Sequence, residues 1–266
     1  MRYIYWADLK TTDFHKIDSQ SDFVIIPMAA TEQHGNHLPL ATDSDIMDGL
    51  LHQLVKKSYD EDSQGRAYIL PTQTIGYSIE HKDFAGSLTL SPEILLTIIK
   101  EITTQISALG FKKIIFLSSH GGNNELAAIL SRYARAELNM EAFSSHWLRF
   151  LNHVEKINDF PLNEKQQEED IHGGFIETSL MLYFKPEKVD MKAAENFEIN
   201  ASIYFQNSEL KGRKRISRPI SQAWMAQDLN TSGVVGNAAL ATTEWGEIIS
   251  NNLSQNFNTF IKNLLR

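Results

Sequence analysis

Residues 91–118 read SPEILLTIIKEITTQISALGFKKIIFLS, and this stretch decides the fold. Ser91 is a helix-capping residue type, Pro92 suits a first helical turn where its missing N–H costs nothing, and Gly110 can close the segment. Between them Ile94, Leu95, Ile98, Ile99, Ile102, Ile106 and Leu109 recur at helical spacing, which predicts an amphipathic helix. Residues 113–118 (KIIFLS) then form a short β-branched apolar run, the pattern of a strand covered on both faces. Upstream, 67–71 (AYILP) has the same character. Strand, helix and strand in that order form a βαβ unit, with parallel neighbouring strands and a right-handed crossover.

Working outward, 23–30 (FVIIPMAA) reads as another buried strand and 142–146 as a further one. Helices are expected at 124–138 and 176–184, and 237–265 carries a long amphipathic pattern that predicts a closing helix. The expectation is a single α/β domain over residues 1–266 with a mostly parallel sheet, without internal repeat or clear linker.

The 266 residues are 42% hydrophobic and 22% charged, an ordinary globular composition. The net charge of -8 argues against a nucleic-acid partner, which needs a concentrated basic surface. The basic cluster at 211–215 and the acidic stretch at 164–170 both read as solvated loops or a charged pocket rim. The absence of cysteine excludes disulfides, thiolate ligands and a cysteine nucleophile, so a metal would have to use histidine and carboxylate. No segment resembles a signal peptide or a membrane span of about 20 apolar residues, and a cytoplasmic location is expected.

Open α/β sheets bind ligands beyond the carboxyl ends of their strands. Two predicted strands run out into polar clusters there: Thr31-Glu32-Gln33-His34-Gly35-Asn36-His37 and Ser118-Ser119-His120-Gly121-Gly122-Asn123. Glu32 and His34 are two residues apart and can face the same way, with Asp43 following at a helix start. Such a sulfur-free set suits Zn, Mn or Fe, and a carboxylate such as Asp43 can bridge two ions. Singly, Glu32 and His34 are equally readable as loop residues and Asp43 as a helix cap; their clustering with His120 favours a metal site. Gly121 and Gly122 permit close approach of a ligand, although neither a P-loop nor a dinucleotide pattern is present. Asn123 is read as a helix cap that also fixes its loop. His172, before Gly173-Gly174, and Glu177, in an apolar helix, are further candidates, each also readable as an ordinary loop or surface residue. His37, Asp45, Glu80, His81 and Asp83 carry weaker signals, and the Asp43-Ser44-Asp45 triplet is too short to indicate a sugar-nucleotide enzyme.

Four segments in order, TEQHGNHLPLATDSD (31–45), GYSIEHKDFAGSLTL (76–90), SSHGGNN (118–124) and IHGGFIETSLML (171–182), resemble the creatininase family, in its HGGN-type branch rather than creatininase proper. Residues 233–246 resemble its closing segment. The resemblance implies a three-layer α/β/α sandwich and a centre of one or two divalent ions (Zn, Mn or Fe) on Glu32, His34, Asp43 and His120, with Asp43 between the ions. It also implies proton transfer by His172, a glutamate near the metal at Glu177, and substrate contact at Ser78. Creatininases carry tyrosine and glutamate where this chain has Gly121 and Gly122, and tryptophan in the region of 166–170. The HGGN branch usually has an acidic residue at the place of Phe175 and asparagine-glycine at Ser118-Ser119.

The expected function is thus a metal-dependent amidohydrolase that cleaves a small amide, cyclic amides included, through a metal-activated water. Metal is expected on Glu32, His34, Asp43 and His120, catalysis at His172 and Glu177, and substrate at Ser78, Gly121 and Gly122. The alternatives are a formamide hydrolase with a nucleotide-derived or pterin-like substrate, and a catalytically silent metal-binding protein. The implied partners are a small-molecule amide and further copies of the chain, a hexamer by resemblance, with no nucleic acid and no membrane.

Overall fold

A computed structural model describes residues 1–58, 65–151, 159–200 and 223–264. Five strands, β1 (Arg2–Tyr5), β2 (Phe23–Met28), β3 (Arg66–Ile69), β4 (Lys113–Ser118) and β5 (Glu141–His146), form one sheet in the order β1-β3-β2-β4-β5. Every neighbouring pair is parallel. The helices that concern the site are α1 (Thr42–Lys56), α2 (Pro92–Ala108), α3 (Asn124–Leu138), α4 (Glu164–Glu169), α5 (Phe175–Phe184) and α6 (Thr243–Leu264). A short antiparallel pair joins β6 (Asn196–Phe197) to β7 (Gly236–Asn237).

Successive strand side chains point to opposite faces, and β2 is buried along its whole length. It therefore feeds two cores. Phe23 and Ile25 pack with Met47 and Leu50 of α1, Leu180 of α5 and Leu253 of α6. Val24 and Ile26 pack on the other face with Leu95 and Ile99 of α2 and Leu126 and Leu130 of α3. Each such side chain contributes about 1.5–3 kcal/mol by leaving water. The result is the expected three-layer α/β/α architecture around a parallel sheet.

Ser91 caps α2 by accepting from the Ile94 N–H, and Pro92 occupies the first turn. Only Leu95, Thr103, Ile99 and Ile106 of that helix are buried, whereas Ile94, Ile98 and Leu109 are exposed: the apolar pattern is wider than the stripe that meets the sheet. The closing helix begins at Thr243 rather than 237 because Ala238–Leu240 forms a separate 3-10 turn. The acidic stretch is not a plain solvated loop. Residues Glu164–Glu169 form α4, capped by Asn163, and Asp170 accepts from the N–H groups of Phe175 (2.7 Å) and Ile176 (3.1 Å) at the start of α5. The basic cluster at 211–215 lies outside the described residues. No helix among the described residues is long and apolar enough to cross a membrane.

Because β2, β3 and β4 are parallel, their carboxyl ends share one edge of the sheet. The polar segments follow them there.

Candidate metal centre

The loop after β2 is folded back on itself: the Glu32 N–H bonds the Leu40 carbonyl at 3.0 Å, and Thr31 bridges to Leu88. This carries Glu32 and His34 into the interior, both fully buried. Asp43 follows in the first turn of α1, where the Ser119 hydroxyl donates to its carbonyl. After β4, the Ser118 Oγ accepts from the His120 N–H (3.0 Å) and donates to the His120 carbonyl (2.6 Å), so it fixes the turn that presents the imidazole. The residue pair that departs from the family pattern at 118–119 thus has a local structural role. Asn123 does not cap α3 with its side chain. It instead ties two loops together, accepting from the Tyr77 N–H and donating to the Ala29 carbonyl.

Three overlapping sets of potential ligands result: Glu32, Asp43 and His120; His34, His172 and Glu177; and Glu32, His81 and His172. They adjoin, since His172 Nδ1 lies 3.7 Å from Glu32 Oε1 and the His34 and His172 rings are 4.2 Å apart. A carbonyl only accepts, so a ring nitrogen facing one must carry the proton. On that basis His34 Nδ1–H is tied to the Glu32 carbonyl (3.1 Å), His120 Nε2–H to that of Tyr77 (3.0 Å) and His172 Nε2–H to that of Gln33 (2.7 Å). Each ring then turns its other nitrogen inward. Metal-binding histidines are commonly held this way.

Inside the cluster, both carboxyl oxygens of Glu32, Asp43 Oδ2 and His34 Nε2 are buried without a hydrogen-bond partner. The ion pairs of Glu32, Asp43, Glu80 and Glu177 among the described residues are all with histidine. Buried carboxyls opposed by nothing but imidazoles are costly to charge unless a cation accompanies them. Without one, a proton takes the place. Burial opposes charging His120, but Glu32 at 3.0 Å, with Asp43 and Glu80, outweighs it and pushes this imidazole up to about 10. Burial and then Glu32 hold the Asp43 carboxyl well above the usual range. For Glu32 burial acts upward, yet the surrounding histidines prevail and hold it well below. Burial, with His172, depresses His34 strongly. The residues present fit divalent metal.

Ser78 is fully buried with its Oγ 3.4 Å from His120 Nε2. A Cβ on Gly121 would meet nothing within 4 Å, whereas one on Gly122 would press on the Tyr77 carbonyl, His120 Nε2 at 2.6 Å and Glu80 Oε1 at 2.9 Å. The Glu80 carboxyl thus fills the space that a side chain at 122 would need. Phe175 is fully buried among apolar neighbours, edge-on to Phe160 and Trp245. Glu80 and His81, read from sequence as weak signals, both join the cluster: His120 Nε2 is 3.5 Å from Glu80 Oε1, and His81 Nε2 is 3.5 Å from Glu32 Oε1. Their residue types were the only signal, because they lie more than ten residues beyond the end of β3. Burial, then His172, lowers His81 to about 3.

A family model described as creatinine amidohydrolase (Creatininase) matches residues 7–261. Over 183 residues the chain is 29% identical to the mycofactocin precursor peptide peptidase of Mycolicibacterium smegmatis, a match covering 69% of this chain and 66% of that protein. The match spans just under two thirds of this relative's length. It is 24% identical over 200 residues to the creatinine amidohydrolase of Pseudomonas putida, covering 71% and 74% of the two chains. A solved mutant creatininase described as Zn-Zn type superposes with a TM-score of 0.77 at 18% identity, covering 100% of this chain and 99% of the other, which speaks for a shared fold. The match to the family model over nearly the whole chain settles the relationship: this protein belongs to the creatininase family.

Proposed function

We propose that this chain, acting as one domain over residues 1–266, is a metal-dependent amidohydrolase with a small amide or peptide-like substrate. Its cations are held by Glu32, His34, Asp43 and His120, with Glu177 beside His34. The observation that carries the reading is the convergence of buried, unpartnered carboxyl oxygens with inward-facing imidazole nitrogens. Zinc and manganese are the first ions to test, since each is named for a solved creatininase. A divalent cation supplies Lewis-acid polarisation of the amide carbonyl and lowers the pKa of water toward about 7.

The protein's own groups do the rest. His172 takes a proton at Nδ1 from the attacking water and returns it to the departing nitrogen, while its Nε2–H bond to the Gln33 carbonyl keeps the ring from turning. Glu177 accepts the Gly173 N–H at 2.6 Å, so the turn carrying His172 and the carboxyl facing His34 are fixed together. Ser78 and the open face left by Gly121 meet the substrate; Gly122 does so only beside the Glu80 carboxyl. The names of the relatives put both a peptide bond and a small amide within range. Self-association belongs to the same reading and is supported by exposed Ile94, Ile98 and Ile129 on neighbouring helices; sedimentation would detect it.

The test is elemental analysis of the purified protein, chelator stripping, restoration with zinc or manganese, and a panel of cyclic amides, formamides and short peptides. Retained metal with hydrolysis of at least one class is expected. Full metal loading without turnover of any of them would sink the hydrolase reading and leave a metal-binding protein. His172→Ala should lower kcat by roughly 10²–10⁴-fold with metal content unchanged.

A further inference from the structure

Four imidazoles converge on the site, and in their neutral forms three of them turn a lone pair inward. His81 does not. The orientation of the Gln33 amide is set by two backbone groups: its Nε2 donates to the Gly233 carbonyl at 2.6 Å and its Oε1 accepts from the Gly35 N–H at 3.0 Å. Gly233 itself permits this approach, having φ +76° and no side chain; an added Cβ would lie 2.6 Å from Gln33 Nε2. The second N–H of that amide then meets His81 Nδ1 at 2.9 Å. Nδ1 is the acceptor, so the proton of the neutral ring sits on Nε2, which faces the cluster.

The same residue does the reverse to His172. Its backbone carbonyl takes the Nε2–H of that ring and leaves Nδ1 bare, 3.7 Å from the Glu32 oxygen that His81 Nε2 approaches at 3.5 Å. Gln33 therefore sets two imidazoles, 4.3 Å apart and both facing Glu32, in opposite tautomers. By distance alone Glu32, His81 and His172 form a possible ion site, but a ring nitrogen that carries its proton has no lone pair for a metal. Nor is the His81 N–H used up, because 3.5 Å is too long for a good hydrogen bond to Glu32.

We propose that His81 is a hydrogen-bond donor to the substrate rather than a cation ligand: its Nε2–H receives the amide oxygen as the carbonyl carbon becomes tetrahedral. No proton changes owner in this role, and Gln33 is the positioning residue that aims it. The substrate half of the proposal rests on the hydrolase reading above; the donor half does not.

The experiment uses the zinc-loaded protein with ¹⁵N-labelled histidine. NMR should show His81 protonated at Nε2 and bare at Nδ1, His81→Ala and His81→Gln should retain the full metal content, and circular dichroism checks that both fold. His81→Ala should lose roughly 10²–10³-fold in kcat with little change in KM, the scale of a lost oxyanion donor. His81→Gln, which keeps an N–H on a shorter arm, should recover to within about tenfold of wild type. Loss of an ion from His81→Ala, a proton on Nδ1, or an unchanged kcat would each overturn the assignment. If the wild type hydrolyses no amide, the hydrolase reading and the substrate half fall together, whereas tautomer and metal content still judge the donor half.

Discussion

The two halves of the site are built from similar residues on unlike supports. Glu32, Asp43 and His120 stand on loops leaving the central strands β2 and β4 and on the first turn of α1, with Glu32 fully buried and His120 and Asp43 nearly so. In the other half, His34 shares the buried β2 loop with Glu32, but His172 and Glu177 depend on the 170–177 segment entering α5, and the Glu177 side chain is 16% exposed. The first half has two carboxyls to one imidazole, whereas the second, with His172 kept for proton transfer, has only Glu177 beside His34. On the proposed metal reading, support and charge both favour the first half as the tighter cation site, because a drier and more acidic pocket strengthens attraction to a dication.

The most damaging change should be Glu32→Gln, since Glu32 reaches His120 at 3.0 Å and His172 at 3.7 Å and so serves both halves. Losing several kcal/mol of Lewis-acid stabilisation corresponds to roughly a thousandfold or more in kcat/KM, and metal analysis should record at least one ion lost. Glu177→Gln should be milder: metal affinity in the second half weaker by roughly 10–100-fold, read with a buffered zinc titration, while the tight ion remains. Equal losses of metal from the two variants would break the comparison.

A third test separates the halves by their protons. Without a cation His120 is pushed up to about 10, so at pH 7 it is charged, while His34 is held well below its usual 6.5 and is neutral. Filling the first half must therefore expel at least one proton, and filling the second none from His34. Affinity in the first half should rise about tenfold per pH unit between pH 6 and 8, because proton and metal compete for the same lone pair. Calorimetry in buffers of different ionisation enthalpy counts the protons. A pH-independent tight site would contradict the assignment of His120.

The elements β3, α2 and β4 were legible in sequence because a capped amphipathic helix stands between two apolar runs, but the two strands are not the neighbours the pattern implied: β2 lies between them, which no local spacing reveals. Glu32, His34 and His120 were readable as candidates because they closely follow such runs, and Asp43 because it opens the next helix. What escaped reading had physical reasons. β1 is a four-residue edge strand with only Tyr3 buried, too short to give an alternation. Glu80 and His81 come more than ten residues after β3 ends, so nothing local ties them to the sheet edge. Gln33 looks like any polar loop residue until Gly233, 200 positions away, is placed against its amide. Ile94 and Ile98 were read as one pattern with the buried positions of α2, because spacing alone does not say how wide a stripe the sheet covers.

The smallest expected effect bears on the weaker support of the second half. Asp170 accepts two backbone N–H groups at the start of α5, and an added Cβ on either Gly174 or Gly236 would collide with its carboxyl, so the segment is closely fitted around it. Asp170→Ala removes the cap and should cost about 1–2 kcal/mol, with Asp170→Asn costing less because an amide oxygen still accepts one of the N–H groups. Urea unfolding measures this loss. Since α5 carries Glu177, and the Gly173 N–H holds the Glu177 carboxyl, loosening this end of the helix should weaken the second ion and leave the first unchanged. If Asp170→Ala weakened both ions equally, the 170–177 segment would have to support Glu32 and His120 as well, and the two halves would be one mechanical unit.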